Sequence, residues 1–173
     1  MGERKVTKIA SIVTAIMVIL FSLFLSHDWN KVGIFASCGL WGRLLYSFCH
    51  ANIVHAALNA WCLLSLVFIY DITMWRLSLA YIIAATVPAN TLYSLFGIMD
   101  TPTVGLSAVV FVLFGSISFE VMRKWYYQAW MLFYLVMGFL SPNTNAYLHL
   151  YCYVAGLTIA LLNKPVKCKH YGN

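Results

Sequence analysis

The sequence predicts an all-α integral membrane protein, and its composition and its long charge-free stretches are the observations behind that prediction. Of the 173 residues, 62% are hydrophobic and only 9% are charged, and the mean hydropathy is +0.82. Soluble domains are about 45–50% apolar and about 25% charged, so this chain has too little charge to cover a soluble surface. Disorder is also excluded, because it needs low hydrophobicity and high charge.

Six helical spans follow from the charge-free stretches, since one membrane crossing needs about 20 residues. The first stretch is too long for the apolar core of a signal peptide and lacks a small-residue cleavage site, which favours an uncleaved span. The last, 125–163, has no Asp, Glu, Lys or Arg and contains a turn at 141–145, so it holds two spans. We expect one membrane domain over residues 1–173 and no soluble domain. Its predicted spans are about 9–26, 50–70, 77–97, 104–122, 125–141 and 145–163.

The distribution of basic residues predicts the orientation of the spans. Six spans place both termini on one side with nine Lys or Arg residues, whereas only Lys31 and Arg43 lie on the other side. Cytoplasmic loops collect Lys and Arg, so both termini are expected inside. The net charge of +6 is then explained by topology, and we expect the lipid bilayer, not nucleic acid, as a partner. The nine are Arg4, Lys5, Lys8, Arg76, Arg123, Lys124, Lys164, Lys167 and Lys169.

The connection 27–49 is long for a compact bundle and carries Trp29, Trp41, Tyr46 and Phe48 among polar residues. Irregular backbone cannot lie in lipid, where its polar groups would have no partners. We therefore expect a partly helical segment in the membrane interface, anchored by these aromatic rings.

Polar side chains inside the predicted spans are candidates for function, because they are costly in lipid. His55 and Asn59 are four residues apart and share one face of the second span. Ser107 opens the fourth span, and His149 lies near the start of the sixth. These three spans all run from outside to inside, so the polar groups should lie at similar depth near the outer leaflet. That arrangement predicts a shared cavity reached by water.

The residue types at this depth favour acyl transfer over metal chemistry. The five cysteines form no CxxC pair, no HExxH motif occurs, and no Asp or Glu lies near the histidines. Three histidines could still bind zinc in principle, but we expect neither a metal nor a cofactor. A serine and a histidine can form an acyl-enzyme without a carboxylate if packing orients the histidine. Oxyanion donors are available from Asn59, His55 and the Ser107 backbone N–H near a helix N-terminus.

In these motifs the sequence resembles the rhomboid intramembrane serine proteases in their compact six-span form. The resemblance extends over all six spans and implies a rhomboid-like helical bundle. The matching elements are His50-x4-His55-x3-Asn59, Gly105-x-Ser107-Ala108, His149 followed by Gly156, and the Trp41 and Arg43 pair in the long loop.

The resemblance also implies roles for individual residues. Ser107 would be the nucleophile and His149 the general base. His55 and Asn59 would complete the oxyanion hole with the Ser107 amide. His50 would support the site by hydrogen bonding, and Gly105 belongs to the motif that precedes the serine.

The sequence departs from the family pattern at three places. Ala108 stands where the family usually has glycine, and Gly42 separates Trp41 from Arg43. The stretch after residue 153 resembles the one that often follows the family's histidine directly, which would put Tyr153 at the catalytic position. We prefer His149, because a tyrosine cannot serve as base at neutral pH.

The favoured interpretation is a serine endopeptidase of the plasma membrane of a bacterium, which cleaves transmembrane substrates near their outer end. A non-catalytic rhomboid-like chaperone or adaptor is the alternative, although it would be expected to have lost Ser107 or His149. A transporter is disfavoured, because the charge-free stretches offer no Asp, Glu, Lys or Arg for coupling ions and no internal repeat is evident. We also expect the fifth span to close as a gate against Trp61 and Leu64 of the second. Its bulky residues are Trp130, Phe133, Tyr134 and Met137.

Overall fold

A computed structural model of the chain describes residues 2–24, 28–70, 72–141 and 144–162. Over these residues the protein is helical, as predicted, and the only extended pairing is an isolated bridge between Ile34 and Thr103. The helices are α1 (Glu3–Phe24), α2 (Trp29–Val32), α3 (Leu40–Leu45), α4 (Ile53–Ile69), α5 (Met74–Ala85), α6 (Ala89–Phe96), α7 (Ser107–Ser116), α8 (Lys124–Leu140) and α9 (Ala146–Leu162).

Helix length and composition identify one clear membrane span in the described ranges. This is α1, which has 22 residues. Helices α5 and α6 qualify together as a second span, although the chain bends by 47° at the break between them. Helices α4, α7 and α9 are apolar but shorter, at 10 to 17 residues.

Helix α7 lies at the centre of the bundle. It packs against α4, α5 and α9, and eight of its ten residues are buried. A helix that is apolar all round is expected in such a position. Because protein surrounds α7, it can be short and continue into turns at 117–122 without exposing irregular backbone to lipid.

The closest helix contact joins α7 to α9 at Gly115 and Gly156. A Cβ atom built on Gly115 would lie 2.8 Å from the Gly156 backbone and would collide with the Tyr153 carbonyl oxygen. A Cβ atom on Gly156 would collide with the Val112 carbonyl oxygen. Glycine at both positions therefore allows the two backbones to touch, which is how small residues act between membrane helices.

The long connection after α1 folds against the segment that precedes α7. Ile34 and Thr103 exchange backbone hydrogen bonds of 2.9 and 3.0 Å, and the Ala36 N–H donates to the Met99 carbonyl at 2.7 Å. The Arg43 guanidinium donates to the Val87 carbonyl at 2.8 Å. That carbonyl precedes Pro88, so Arg43 satisfies backbone at the break between α5 and α6.

The expected contact between the fifth and second spans is wrong. Helix α8 packs against α9, and none of its Cα atoms lies within 8 Å of one in α4. Phe133 is 53% exposed and Trp61 is 71% exposed. Hydrogen bonds from Tyr127 to the Phe114 carbonyl and from Tyr153 to Gln128 hold α8 beside α7 and α9. Apolar side chains gain little by leaving lipid for another helix, so bulk alone does not predict packing.

Candidate active site

Ser107 and His149 are in direct contact. The distance from His149 Nε2 to Ser107 Oγ is 2.8 Å. Ser107 is the first residue of α7, and His149 lies in the first turns of α9, so the two helices present both side chains at the same end. The distance is in the range for proton transfer between a nucleophile and a base. With the His149 tautomer that leaves Nε2 unprotonated, the Ser107 hydroxyl donates to it.

An aromatic ring orients His149 in place of a carboxylate. The Phe111 ring stacks on the imidazole with ring centroids 4.3 Å apart and planes 12° apart. Phe111 lies four residues after Ser107, so both face α9 from the same side of α7. Among the described residues, no Asp or Glu bonds to His149. Phe111 was not among the predicted site residues, although its i+4 spacing from Ser107 places it on the same helix face.

Gly105 allows His55 to approach the nucleophile. Its φ of +136° lies in the region that favours glycine. A Cβ atom at this position would lie 3.0 Å from His55 Cε1 and 3.7 Å from Ser107 Oγ. The Gly105 N–H also donates to the Tyr46 carbonyl at 2.8 Å, which fixes the turn before α7. Gly105 is therefore the position where α4, the long connection and α7 meet.

His50 holds the backbone immediately before the nucleophile. Its Nε2 accepts a hydrogen bond from the Leu106 N–H at 3.1 Å, and its side chain is buried. Its ring also meets the His55 ring edge-on, with centroids 5.0 Å apart. His50 thus contacts both the segment before Ser107 and the neighbouring histidine, and its place in the site is a supporting one.

Asn59 lies one turn after His55 on α4 and is buried. Its amide nitrogen donates to the His55 carbonyl at 3.1 Å. An amide nitrogen carries two hydrogens, so a second donor is available beside this intrahelical bond. At the start of the same helix, Asn52 accepts from the His55 N–H at 2.8 Å and caps α4.

The alternative register in the sixth span does not bring Tyr153 to Ser107. The Tyr153 hydroxyl donates to Gln128 at 2.6 Å and lies 3.3 Å from Ser118 Oγ, beyond the far end of α7. Its place is structural, because it links α8 and α9 to the turn after α7. Over the described ranges, no group of three or more His, Cys, Asp or Glu side chains is arranged to hold a metal ion.

A cavity of about 660 Å³ adjoins the site. It lies between the start of α4, the segment 97–104, the end of α8 and the start of α9. His55 lines it, and the same side chain lies close to Gly105 beside Ser107. We refer to it below as the 97–104 cavity.

The fold and site thus define a helical membrane protein with a serine and a histidine paired at neighbouring helix ends. The family model for the Rhomboid domain matches residues 37–165, which is 129 of the 173 residues and includes every candidate site residue. The chain belongs to the rhomboid family and is an integral membrane protein. No curated protein and no solved structure gave a significant match.

Proposed function

We propose that the protein is an intramembrane serine endopeptidase that cleaves transmembrane segments of other proteins near the outer leaflet. The contact of 2.8 Å between His149 Nε2 and Ser107 Oγ carries this proposal. Membership of the rhomboid family supports it, because this family generally includes intramembrane serine proteases.

In the proposed reaction His149 acts first as base and then as acid. Nε2 takes the hydroxyl proton while Ser107 Oγ attacks the carbonyl carbon of the scissile bond. The tetrahedral intermediate collapses as His149 returns the proton to the leaving amine, which leaves an acyl-enzyme. Water then attacks the ester with His149 again as base, and Ser107 is released. Stacking on Phe111 holds the imidazole through both steps.

The oxyanion would be stabilised from two helices. Ser107 is the first residue of α7, and N–H groups in a first helical turn have no intrahelical carbonyl partner. The helix dipole favours negative charge at that end. The His55 ring approaches Gly105 from α4, and Asn59 lies on the same helix with a second amide hydrogen. Each such donor typically contributes about 10²- to 10³-fold to kcat.

Six crossings are proposed for the membrane topology, with both termini inside. They are α1, α4, the bent pair α5–α6, α7, α8 and α9. The excess of Lys and Arg on the side of the termini supports this orientation. Arg76 and Glu120 form a two-pronged ion pair of 2.6 and 3.1 Å beyond the end of α7 that is opposite Ser107. The site would then face the outside of a plasma membrane, and a bacterial inner membrane is the proposed location.

A fluorophosphonate probe, which labels activated serines, tests this function in purified protein. We expect labelling of the wild type and none of Ser107→Ala or His149→Ala, with the same pattern for cleavage of a model transmembrane substrate. Ser116→Ala is the matched control, because Ser116 lies on α7 but donates to its own helix at the Leu113 carbonyl.

Wild-type cleavage by Ser107→Ala would overturn the proposed mechanism. A folded wild-type protein that binds transmembrane substrates but neither reacts with the probe nor cleaves them would favour a non-catalytic adaptor instead.

A further inference from the structure

Among the described residues that line the 97–104 cavity, one has an acidic side chain. Asp100 lines the cavity and is exposed, and no Lys or Arg is among the described residues around it. Among the described residues of the lining, His55 has the basic side chain. The cavity therefore has a negative wall on the side formed by the segment 97–104.

Asp100 differs from the other charged groups at this end of the bundle. Asp28 and Lys31 form an ion pair of 3.5 Å, and Arg43 is engaged with the Val87 carbonyl. Within the described part of the chain, the Asp100 carboxylate has neither an ion pair nor a hydrogen bond. Its charge is thus available to a ligand that enters the cavity.

The position of this carboxylate is set by the backbone around it. Met99 adopts a φ of +69° and is buried, and its carbonyl accepts from the Ala36 N–H at 2.7 Å. Four residues after Met99, Thr103 pairs with Ile34 through two backbone bonds. Asp100 therefore projects from a segment that is tied down on both sides, and its charge occupies a defined place on the wall.

The aromatic part of the lining suits a long cationic side chain. Phe139 at the end of α8 and Tyr147 at the start of α9 both line the cavity and pack edge-on, with ring centroids 4.9 Å apart. Lys and Arg bury their aliphatic stems on apolar surface while the charged head reaches an acceptor, and aromatic faces attract cations. One carboxylate is too few for a hard metal ion, which takes six or more oxygen ligands.

We propose that Asp100 makes the 97–104 cavity a subsite for a Lys or Arg side chain on the outer flank of the substrate's transmembrane segment. This inference rests on the proposed function, since it assigns a substrate class to that site. Lys and Arg are depleted from the outer flanks of membrane proteins. A cation in that position therefore distinguishes one membrane protein from most others.

Binding of transmembrane peptides to the Ser107→Ala protein in neutral micelles tests this subsite without relying on cleavage. The peptides carry one Lys, Gln or Glu, scanned through the outer flank, and Kd is measured by fluorescence energy transfer. At the best position we expect the Lys peptide to bind roughly 2- to 5-fold more tightly than the Gln peptide, as for a partly exposed ion pair. Adding Asp100→Asn should make the Kd values of the Lys and Gln peptides about equal. Asp100→Lys should make the Glu peptide the preferred one.

Asp28→Asn in the same background is the matched control. It removes one negative charge from the same end of the protein outside the cavity, and asparagine keeps the cap on Asn30. The Lys preference should persist in this variant and fade in high salt. If Asp100→Asn left the preference for the Lys peptide over the Gln peptide unchanged, the subsite would be overturned. The same holds if Asp28→Asn reduced that preference as much as Asp100→Asn does.

Cleavage of the Gln peptide by the protein with Ser107 intact separates the two proposals. Cleavage without any Asp100-dependent preference would overturn the subsite and leave proteolysis standing. A Lys preference that depends on Asp100, in a protein that cleaves nothing, would establish the subsite and overturn proteolysis.

Discussion

Gly115 and Gly156 lie backbone against backbone where α7 meets α9, and a Cβ atom on Gly156 would be 2.8 Å from the Gly115 Cα atom. Ser107 precedes Gly115 by eight residues, and His149 precedes Gly156 by seven. At 1.5 Å per residue these intervals are about 12 and about 10 Å along the two helices. The glycine contact thus sets both the separation of the helices and the level at which the serine and histidine meet.

Gly156→Ala should destabilise the protein and reduce activity together. The added methyl group would collide with the Val112 carbonyl, and backbone cannot yield as a flexible side chain can. We expect the free energy of unfolding in mixed micelles to fall by about 1–3 kcal/mol, as for overpacked cores. Gly138→Ala is the control, because a Cβ atom there has ordinary contacts of 3.5 Å or more. Equal effects of the two changes would refute the close-approach argument.

Phe111→Leu should lower kcat by roughly 10- to 100-fold, since a misplaced catalytic group loses much of the benefit of orientation. KM should change little, because Phe111 stacks on the His149 ring and is not among the residues that line the 97–104 cavity. Phe111→Tyr should restore most of the rate by restoring a stacked ring. Phe114→Leu is the control variant, because the Phe114 ring meets the Phe111 ring edge-on. A raised KM with normal kcat would instead place Phe111 in substrate binding.

Asn59→Ala should lower kcat by roughly 10²- to 10³-fold, in the range for one oxyanion donor. KM should stay close to the wild-type value, because the donor acts on charge that develops in the transition state. The free energy of unfolding must be measured beside it, since Asn59 also bonds to the His55 carbonyl. Normal kcat in a variant that is only less stable would reduce Asn59 to a structural residue.

Asn145 should couple the wall of the 97–104 cavity to the helix that carries His149. Its Oδ1 accepts from the Leu148 N–H at 3.1 Å, and its Nδ2 donates to Thr103 Oγ1 at 2.9 Å. Asn145→Asp keeps the acceptor for the helix start, and its carboxylate could still accept from the Thr103 hydroxyl. The double-mutant cycle therefore uses Asn145→Ala with Thr103→Val, and we expect it, read out in kcat, to give a coupling energy of about 0.5–3 kcal/mol.

Additive effects in that cycle would contradict the coupling. Asn145→Ala should cost more than Asn145→Asp, because it also removes the cap, and loss of a cap typically costs about 1 kcal/mol.

Much of the fold and of the candidate site can be predicted from residue types and spacing alone. A chain that is 62% hydrophobic and 9% charged must be solvated by lipid, and apolar stretches in lipid must be helical. The i, i+4 spacing of His55 and Asn59 reports their shared face, because helix geometry is local. Ser107 and His149 could be proposed together because each stands near the same end of its span. These inferences need only properties of single helices.

The tertiary structure decided which side chains and which helices contact one another. Neither the contact of 2.8 Å between His149 and Ser107 nor the stacking of Phe111 follows from periodicity, which does not report the partner across a helix interface. For the same reason, the bulky face of α8 was wrongly expected to pack on α4. Apolar surfaces in lipid have little preference among neighbours, so pairing depends on where backbones can approach. Here that place is Gly115 and Gly156. Their spacing from Ser107 and His149 already indicates a close approach of the two helices, and the folded chain fixes which atoms meet.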